Sequence, residues 1–295
     1  MAFAAWIFGT FVQRGRTGRG VDRFAAESRC GARTDSRDLG WYLVSLLVAE
    51  DVTKLFSGIT ALDGVSLDVR EHEIVGLIGP NGAGKTTFFN CLLGILKPEI
   101  GRVTFDGRDL ARVPTHMRAR LGIARTFQRI ELFTGMTPRQ HFLVAERARN
   151  RRGNVLLDMV GMGHANRAEL ERADAMLELL GLTPVADRVV ESLSLGVGRL
   201  VEVGRALMTQ PKLLLLDEPS SGLDRHETEA LAARLTALQQ AQGIAILLVE
   251  HDIDFVRNLV ERLFVLDFGT LIASGPTDEV FNDRAVRQAY LGDLV

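Results

Sequence analysis

The chain has 295 residues, 46% hydrophobic and 24% charged, with 29 Gly and 8 Pro, proportions that exclude collagen-like, low-complexity and wholly disordered chains. A formal net charge of −2 supplies no global basic field for nucleic acid, and the two cysteines, Cys30 and Cys91, are far apart and suit a reduced, cytosolic compartment rather than a disulfide scaffold. No stretch approaches the roughly 18 uninterrupted apolar residues of a membrane span, and at about 150 residues per domain the length suits one large domain or two lobes.

Residues 1–43 differ from the rest. An apolar, aromatic run, Met1–Val12, precedes the Gly/Arg stretch RGRTGRG at 14–20, and seven Arg against four acids give the segment +3, leaving −5 for the remainder. A secretory signal has the reverse order, with its positive charge first. The segment reads as a disordered extension or as a start assigned too early. A weak membrane-surface anchor is the remaining alternative.

From about Val44 the pattern becomes regular. The runs 74–78 (IVGLI), 213–216 (LLLL) and 244–249 (IAILLV) suit strands buried on both faces of a mostly parallel sheet. A helix is expected from about Asn166 to Leu180, with Leu170, Ala173, Leu177 and Leu180 on its inner face, an Asn166/Glu169 capping box and Gly181 as stop. Another follows Asp224, with Leu231, Leu235 and Leu238 inward and Gly243 at its end. Residues of about 130–205 contain no comparable strand run and read as a helical insertion, so the expected architecture is α/β with two lobes.

Gly79-Pro80-Asn81-Gly82-Ala83-Gly84-Lys85-Thr86 matches G-x-x-x-x-G-K-[ST] directly after the strand run 74–78, and Phe88, Phe89, Leu92 and Leu93 give the following helix its apolar face. Such a loop turns successive backbone N–H groups toward phosphate oxygens at a helix N-terminus. Lys85 reaches the outer phosphates, and the Thr86 hydroxyl is a candidate Mg²⁺ ligand. A chance match in a chain of average composition is roughly one in a hundred, and the strand–loop–helix context lowers that further; nucleotide binding follows.

Asp217 and Glu218 end the apolar run 213–216, where ligands sit in a parallel α/β sheet. Asp217 is positioned to hold Mg²⁺ and Glu218 to act as general base on water. His251, after the run 244–249, is a candidate γ-phosphate contact. His72, His116, His141, His164 and His226 lie in polar or helical contexts and read as solvated.

These motifs, in this order over about residues 46–295, resemble the ATP-binding-cassette (ABC) transporter ATPase family. The resemblance implies a P-loop NTPase fold with N-terminal antiparallel strands, a helical subdomain at about 130–205 and a C-terminal extension at about 271–295. It identifies residues 79–86, with Thr87, as the Walker A nucleotide contacts and 213–218 as Walker B. It also implies that Gln128 contacts Mg²⁺ and water, that Phe56 stacks on adenine, that Asp224 of the D-loop lies at the nucleotide, and that His251 is the switch histidine. The signature segment departs from the family's Leu-Ser-Gly-Gly-Gln: here it is Leu193-Ser194-Leu195-Gly196-Val197. Ser194 and Gly196 match and remain candidate γ-phosphate donors, while Val197 removes a polar contact and opens the alternative of a catalytically impaired regulatory subunit.

The resemblance further implies ATP and Mg²⁺ as cofactors, a head-to-tail dimer with a second cassette, separate transmembrane permease subunits, an indirect link to a substrate-binding protein, and a place at the cytoplasmic face of the membrane. No specific nucleic-acid partner is implied. Within the family, the run Leu121–Gln128, Leu132-Phe133 with Met136-Thr137, Val249–Asp252 and the ending Ala289–Asp293 are similar to the ATPase subunit of branched-chain amino acid importers. Lipopolysaccharide-export and urea-type systems are the near alternatives.

Overall fold

The computed structural model describes residues 45–126, 131–150 and 166–291. The N-terminal segment 1–43, His164, Gln128 and the closing Gly292-Asp293 therefore lie outside the described residues. Strands β1 (Ser45–Phe56) and β2 (Ile59–Arg70) form a hairpin. Ser57 and Gly58 both have positive φ, at 46° and 88°, the conformation that matches a two-residue turn to strand twist. β4 (Ile100–Phe105) and β5 (Arg108–Asp109) repeat the device through Asp106 and Gly107, completing an antiparallel sheet of order β2-β1-β4-β5.

The second sheet contains β3 (Ile74–Ile78), β6 (Ile123–Arg125), β7 (Leu213–Asp217), β8 (Ala245–Val249), β9 (Arg262–Asp267) and β10 (Thr270–Pro276), in the order β10-β9-β3-β8-β7-β6. Only the β9–β10 pair is antiparallel. Every residue of β3, β7 and β8 is buried. Alternation still operates within these runs, because successive side chains enter different cores. Val75, Leu77, Leu213, Leu215, Ala245 and Leu247 face the antiparallel sheet and the helix α1 (Lys85–Leu93). Ile74, Ile78, Leu214, Leu216, Ile246 and Leu248 face the helical side. Each fully buried Leu contributes about 2 kcal/mol by removal from water, and a polar residue in these strands needs a buried partner. Arg262 ties the two sheets, with Nη1 on Asp68 Oδ1 at 2.9 Å and Nε on Glu73 Oε1 at 2.8 Å. Cys91, in α1, is a buried free thiol whose burial pushes its pKa up to about 11, which makes it inert at neutral pH.

After α2 (Thr115–Leu121) and β6, the described residues up to β7 form helices and no strands: α3 (Pro138–Asn150), α4 (Arg167–Leu179) and α5 (Leu195–Leu207), with two short 3₁₀ turns. The remaining helices are α6 (Arg225–Gln242), α7 (Ile253–Leu259), α8 (Thr277–Asn282) and α9 (Arg284–Leu291). The capping box of α4 is present, with Glu169 N–H donating to Asn166 Oδ1 at 2.9 Å and Asn166 N–H to Glu169 Oε2 at 3.1 Å. In α6, Leu231, Leu235 and Leu238 are buried and Gly243, at φ 63°, ends the helix as expected. At Gly204 of α5 the constraint is space: an added Cβ would lie 2.4 Å from Phe142 and 2.5 Å from Leu180, so that glycine lets α5 close onto α3 and the end of α4.

Two expectations need correction. Leu170 is exposed, and the inner face of α4 is Glu169, Ala173, Met176 and Leu177, followed by Leu180. Glu169 takes the inward place because Arg147 of α3 meets its carboxylate there at 3.2 Å, and a paired carboxylate tolerates burial. His141 is fully buried, not solvated. Its Nε2 accepts the Phe133 N–H at 2.8 Å, its Nδ1 lies 2.9 Å from the Thr137 carbonyl, and its ring stacks on Phe133. An accepting Nε2 requires the neutral ring with the proton on Nδ1, and burial pulls the pKa down to about 4.

Unfolded, His141 would titrate near 6.5. Between pH 6.5 and 4 the unfolded chain therefore binds the extra proton, and stability falls as pH is lowered through that window, by up to about 3 kcal/mol from this residue. Replacing His141 with Gln should flatten that part of the dependence, read as a smaller shift of the urea midpoint between pH 7 and pH 4.5 than in the wild type.

Candidate nucleotide site

Because β3, β7 and β8 run parallel and adjacent, the segments leaving their C-terminal ends gather on one edge: residues 79–84, 217–218 and 250–251. The first is shaped by exclusion. A Cβ on Gly79 would sit 2.1 Å from the Leu266 carbonyl oxygen, and one on Gly84, at φ 102°, would sit 2.7 Å from that of Ala61. The loop is braced from outside, with Gly269 N–H donating to Ala83 O at 3.0 Å and Asp63 N–H to Gly269 O at 2.8 Å. α1 then starts at Lys85 with no side chain capping its N-terminus, which leaves first-turn N–H groups for an anion. Asn81, Gly82 and Thr86 are exposed, Pro80, Gly84 and Thr87 are half-buried, and Ala83 is buried.

Lys85 is itself buried. Its Nζ folds back on the loop, donating to Gly79 O at 2.6 Å and Pro80 O at 2.9 Å. Burial pulls its pKa down, while the Glu218 and Asp217 carboxylates push it back up. Asp217 is 4% exposed. Burial raises its pKa, opposed first by Arg125, whose Nη2 lies 2.9 Å from Oδ2. Arg125 ends β6, and its Nη1 reaches Asn90 Oδ1 of α1 at 3.4 Å.

Glu218 adopts φ 48°, a left-handed backbone that costs a non-glycine residue roughly 1–3 kcal/mol when the surroundings enforce it. Its N–H donates to Val249 O at 2.9 Å, and its carbonyl accepts the Ser221 N–H at 3.1 Å. The chain thus turns away from the sheet at Glu218 instead of extending β7. His251 follows β8 with its side chain 56% exposed. Between β8 and His251, Glu250 is completely buried, accepting N–H bonds from Ser220 and His251.

The other expected contacts lie on different elements. Phe56, at the end of β1, is exposed, with the Lys54 ammonium 5.3 Å from its ring centroid. Ser194 caps α5, accepting the Val197 N–H at 3.4 Å. Gly196 N–H donates to Glu227 Oε1 at 3.3 Å, and a Cβ there would meet that same oxygen at 2.8 Å. Asp224 is engaged as a helix cap: its Oδ1 accepts the Glu227 N–H at 2.8 Å and its own N–H reaches Glu227 Oε2 at 3.4 Å. Glu227 therefore joins the signature segment to the D-loop. Val197 packs its side chain against the helical-side core.

Sequence reasoning did not single out Arg125, Asn90, Glu227 or Glu250. For Glu250 a signal existed, since a carboxylate immediately after a five-residue apolar strand must either leave the core or find donors inside it. Arg125 and Asn90 carry no comparable signal, because their meeting depends on how β6 packs beside α1.

The ABC transporter family model matches residues 62–221, and a model described as branched-chain amino acid ATP-binding cassette transporter matches residues 270–294. The chain is 41% identical over 250 residues to the high-affinity branched-chain amino acid transport ATP-binding protein LivG of Salmonella typhimurium, covering 84% of this chain and 98% of that protein. It is 38% identical over 251 residues to BraF of Pseudomonas aeruginosa, which carries the same description, with the same coverage. The lipopolysaccharide export system ATP-binding protein LptB of Haemophilus influenzae is 32% identical over 250 residues, covering 85% of this chain and 98% of its own. Among solved structures, the ADP conformation of an ABC transporter cassette superposes with a TM-score of 0.74 at 34% identity, covering 84% of this chain and 99% of that one. The expected fold class, an α/β P-loop ATPase with an antiparallel N-terminal sheet and a mostly parallel core sheet, is the one observed. The chain belongs to the ATP-binding protein family of ABC transporters.

Proposed function

We propose that this protein is the ATP-hydrolysing motor subunit of an ABC importer for branched-chain amino acids. The observation that carries the chemistry is the gathering of the Lys85 loop, the Asp217–Glu218 pair and His251 on one edge of the sheet. The cargo class rests on the end-to-end similarity to LivG and on the C-terminal match over 270–294. The greater divergence from LptB makes lipopolysaccharide export the weaker reading, and the urea-type alternative has no observation of its own. The impaired-subunit reading keeps its motive in the missing polar side chain at Val197, although the Val197 backbone N–H bonds Ser194 Oγ and its side chain packs against the core. The start of α5 thus holds together without a glutamine there.

Residues 44–295 would form one cassette, with a helical subdomain at about 130–205 and a C-terminal extension at about 271–295. In it, the N–H groups of residues 79–87 take the phosphates of ATP, and the ammonium of Lys85 exchanges the Gly79 and Pro80 carbonyls for the outer phosphates. Phe56 supplies an exposed ring for the adenine. A hydroxyl and a carboxylate, Thr86 and Asp217, are hard oxygen donors suited to Mg²⁺, which characteristically takes few protein ligands and completes its shell with phosphate and water. Gln128 would be the third protein contact. When bound, Mg²⁺ neutralises charge on the transferring phosphoryl group. Glu218 orients the attacking water and takes its proton, and His251 contacts the γ-phosphate.

The Gly196 N–H is held by Glu227 and the Ser194 Oγ by the Val197 N–H in this chain. On this reading the Ser194 hydroxyl proton and, once it leaves Glu227, the Gly196 N–H would be offered to the nucleotide held by a second cassette, with Asp224 at the same junction. A γ-phosphate gripped from both sides favours the closed pair, and its loss on hydrolysis releases it. No helix among the described residues is long and apolar enough to cross a membrane. On this reading the protein would sit peripherally at the cytoplasmic face of the membrane, against separate transmembrane permease subunits that carry the solute delivered by a substrate-binding protein.

Lys85→Ala should lose nucleotide binding, while Glu218→Gln should bind ATP, lose at least a hundredfold in turnover and accumulate as a closed dimer in size-exclusion chromatography. Wild-type ATPase rates in the Glu218→Gln protein would remove the assignment of the base. Arg125→Ala strips the cation from a buried carboxylate, a loss of about 3–5 kcal/mol for such pairs. Differential scanning fluorimetry should show a lowered melting temperature without nucleotide and a larger rescue by Mg·ATP than in the wild type, because Mg²⁺ replaces the missing charge.

A further inference from the structure

Glu250 is a fully buried acid that none of the steps above employs. Its Oε1 accepts the Ser220 N–H at 2.7 Å and its Oε2 the His251 N–H at 3.1 Å, while its own N–H lies 3.4 Å from the carbonyl of Leu77, in the strand that leads into the phosphate loop. Burial pushes the carboxyl pKa up, and the bonds from Ser220 and His251 oppose it. An apolar residue would extend β8 without that desolvation cost. The preceding residue matters equally: Val249 O accepts the Glu218 N–H at 2.9 Å. Residues 249 and 250 thus grip the turn 218–220 at both ends. The residue so held, Glu218, has a left-handed backbone, which persists only where its surroundings over-determine it.

We propose that Glu250 is a positioning residue for hydrolysis: its carboxylate fastens the start of the D-loop to the switch-histidine turn, fixing Glu218 and His251 relative to each other. This rests on the hydrolytic reading above. Movement of residues 220–224 is then transmitted to the base and the histidine together, as one unit. Glu250 touches no reacting atom and acts through its neighbours.

The test uses the full chain as wild type, Glu250→Ala, Glu250→Gln and each combined with His251→Ala. Gln preserves shape and one acceptor but turns an amide NH₂ toward a backbone N–H, so it keeps one grip and breaks the other. The expected result is a fall in kcat of at least tenfold for Ala and a smaller fall for Gln, with KM and ATP affinity changed less than twofold. On the His251→Ala background, Glu250→Ala should still lower kcat, because Glu218 remains to be positioned, but by a smaller factor than in the wild-type background. Amide exchange at Ser220 and His251 should accelerate at least tenfold in Glu250→Ala while α1 is unaffected. If the Ala variant does not fold, Gln carries the same comparison. Unchanged kcat in an active protein, or a loss of kcat matched by loss of ATP affinity and by faster exchange throughout, overturns the role of Glu250 alone. A wild type inactive both alone and with a second cassette removes the hydrolytic reading, and this role with it.

Discussion

Charge buried at the open edge of an apolar sheet is the constraint on which this molecule depends. β3, β7 and β8 are apolar up to their C-terminal ends, and there Lys85, Asp217 and Glu250 lie inside the protein. None can remain charged without a partner. Lys85 takes two loop carbonyls, Asp217 takes Arg125 and Glu250 takes two backbone N–H groups. These bonds also shape the loops around the site, so satisfying the charges and building the site are one process.

The partners are of a kind that a nucleotide can replace. On the proposed reading, phosphate oxygens would take the place of the carbonyls on Lys85, and a divalent cation that of the guanidinium on Asp217. Glu250 differs, because its partners are amides of the scaffold, and it ties together the two loops that carry Glu218 and His251.

Elsewhere the signature segment and the D-loop meet through Glu227, which receives the Gly196 N–H on one oxygen and the Asp224 N–H on the other. Asp224, expected at the nucleotide, is occupied as a cap in the isolated chain. This geometry ties the two segments into one corner through a single carboxylate.

Local information determined much of this in advance. The runs 74–78, 213–216 and 244–249 suited buried strands, because short runs of consecutive apolar side chains need cover on both faces. The Asn166/Glu169 box and Gly243 fixed helix ends, since a cap is decided within four residues. The G-x-x-x-x-G-K-[ST] spacing located the phosphate loop because the backbone can make that cradle only with glycine at close approaches. Tertiary structure alone decided the rest. Leu170 gave way to Glu169 because Arg147 waited on another helix, and His141 went inside because Phe133 and Thr137 supplied its bonds. Arg125 found Asp217, and Glu250 found Ser220, across 92 and 30 residues. Periodicity records how hydrophobic a position is, and the fate of a buried charge depends on which distant group arrives to meet it.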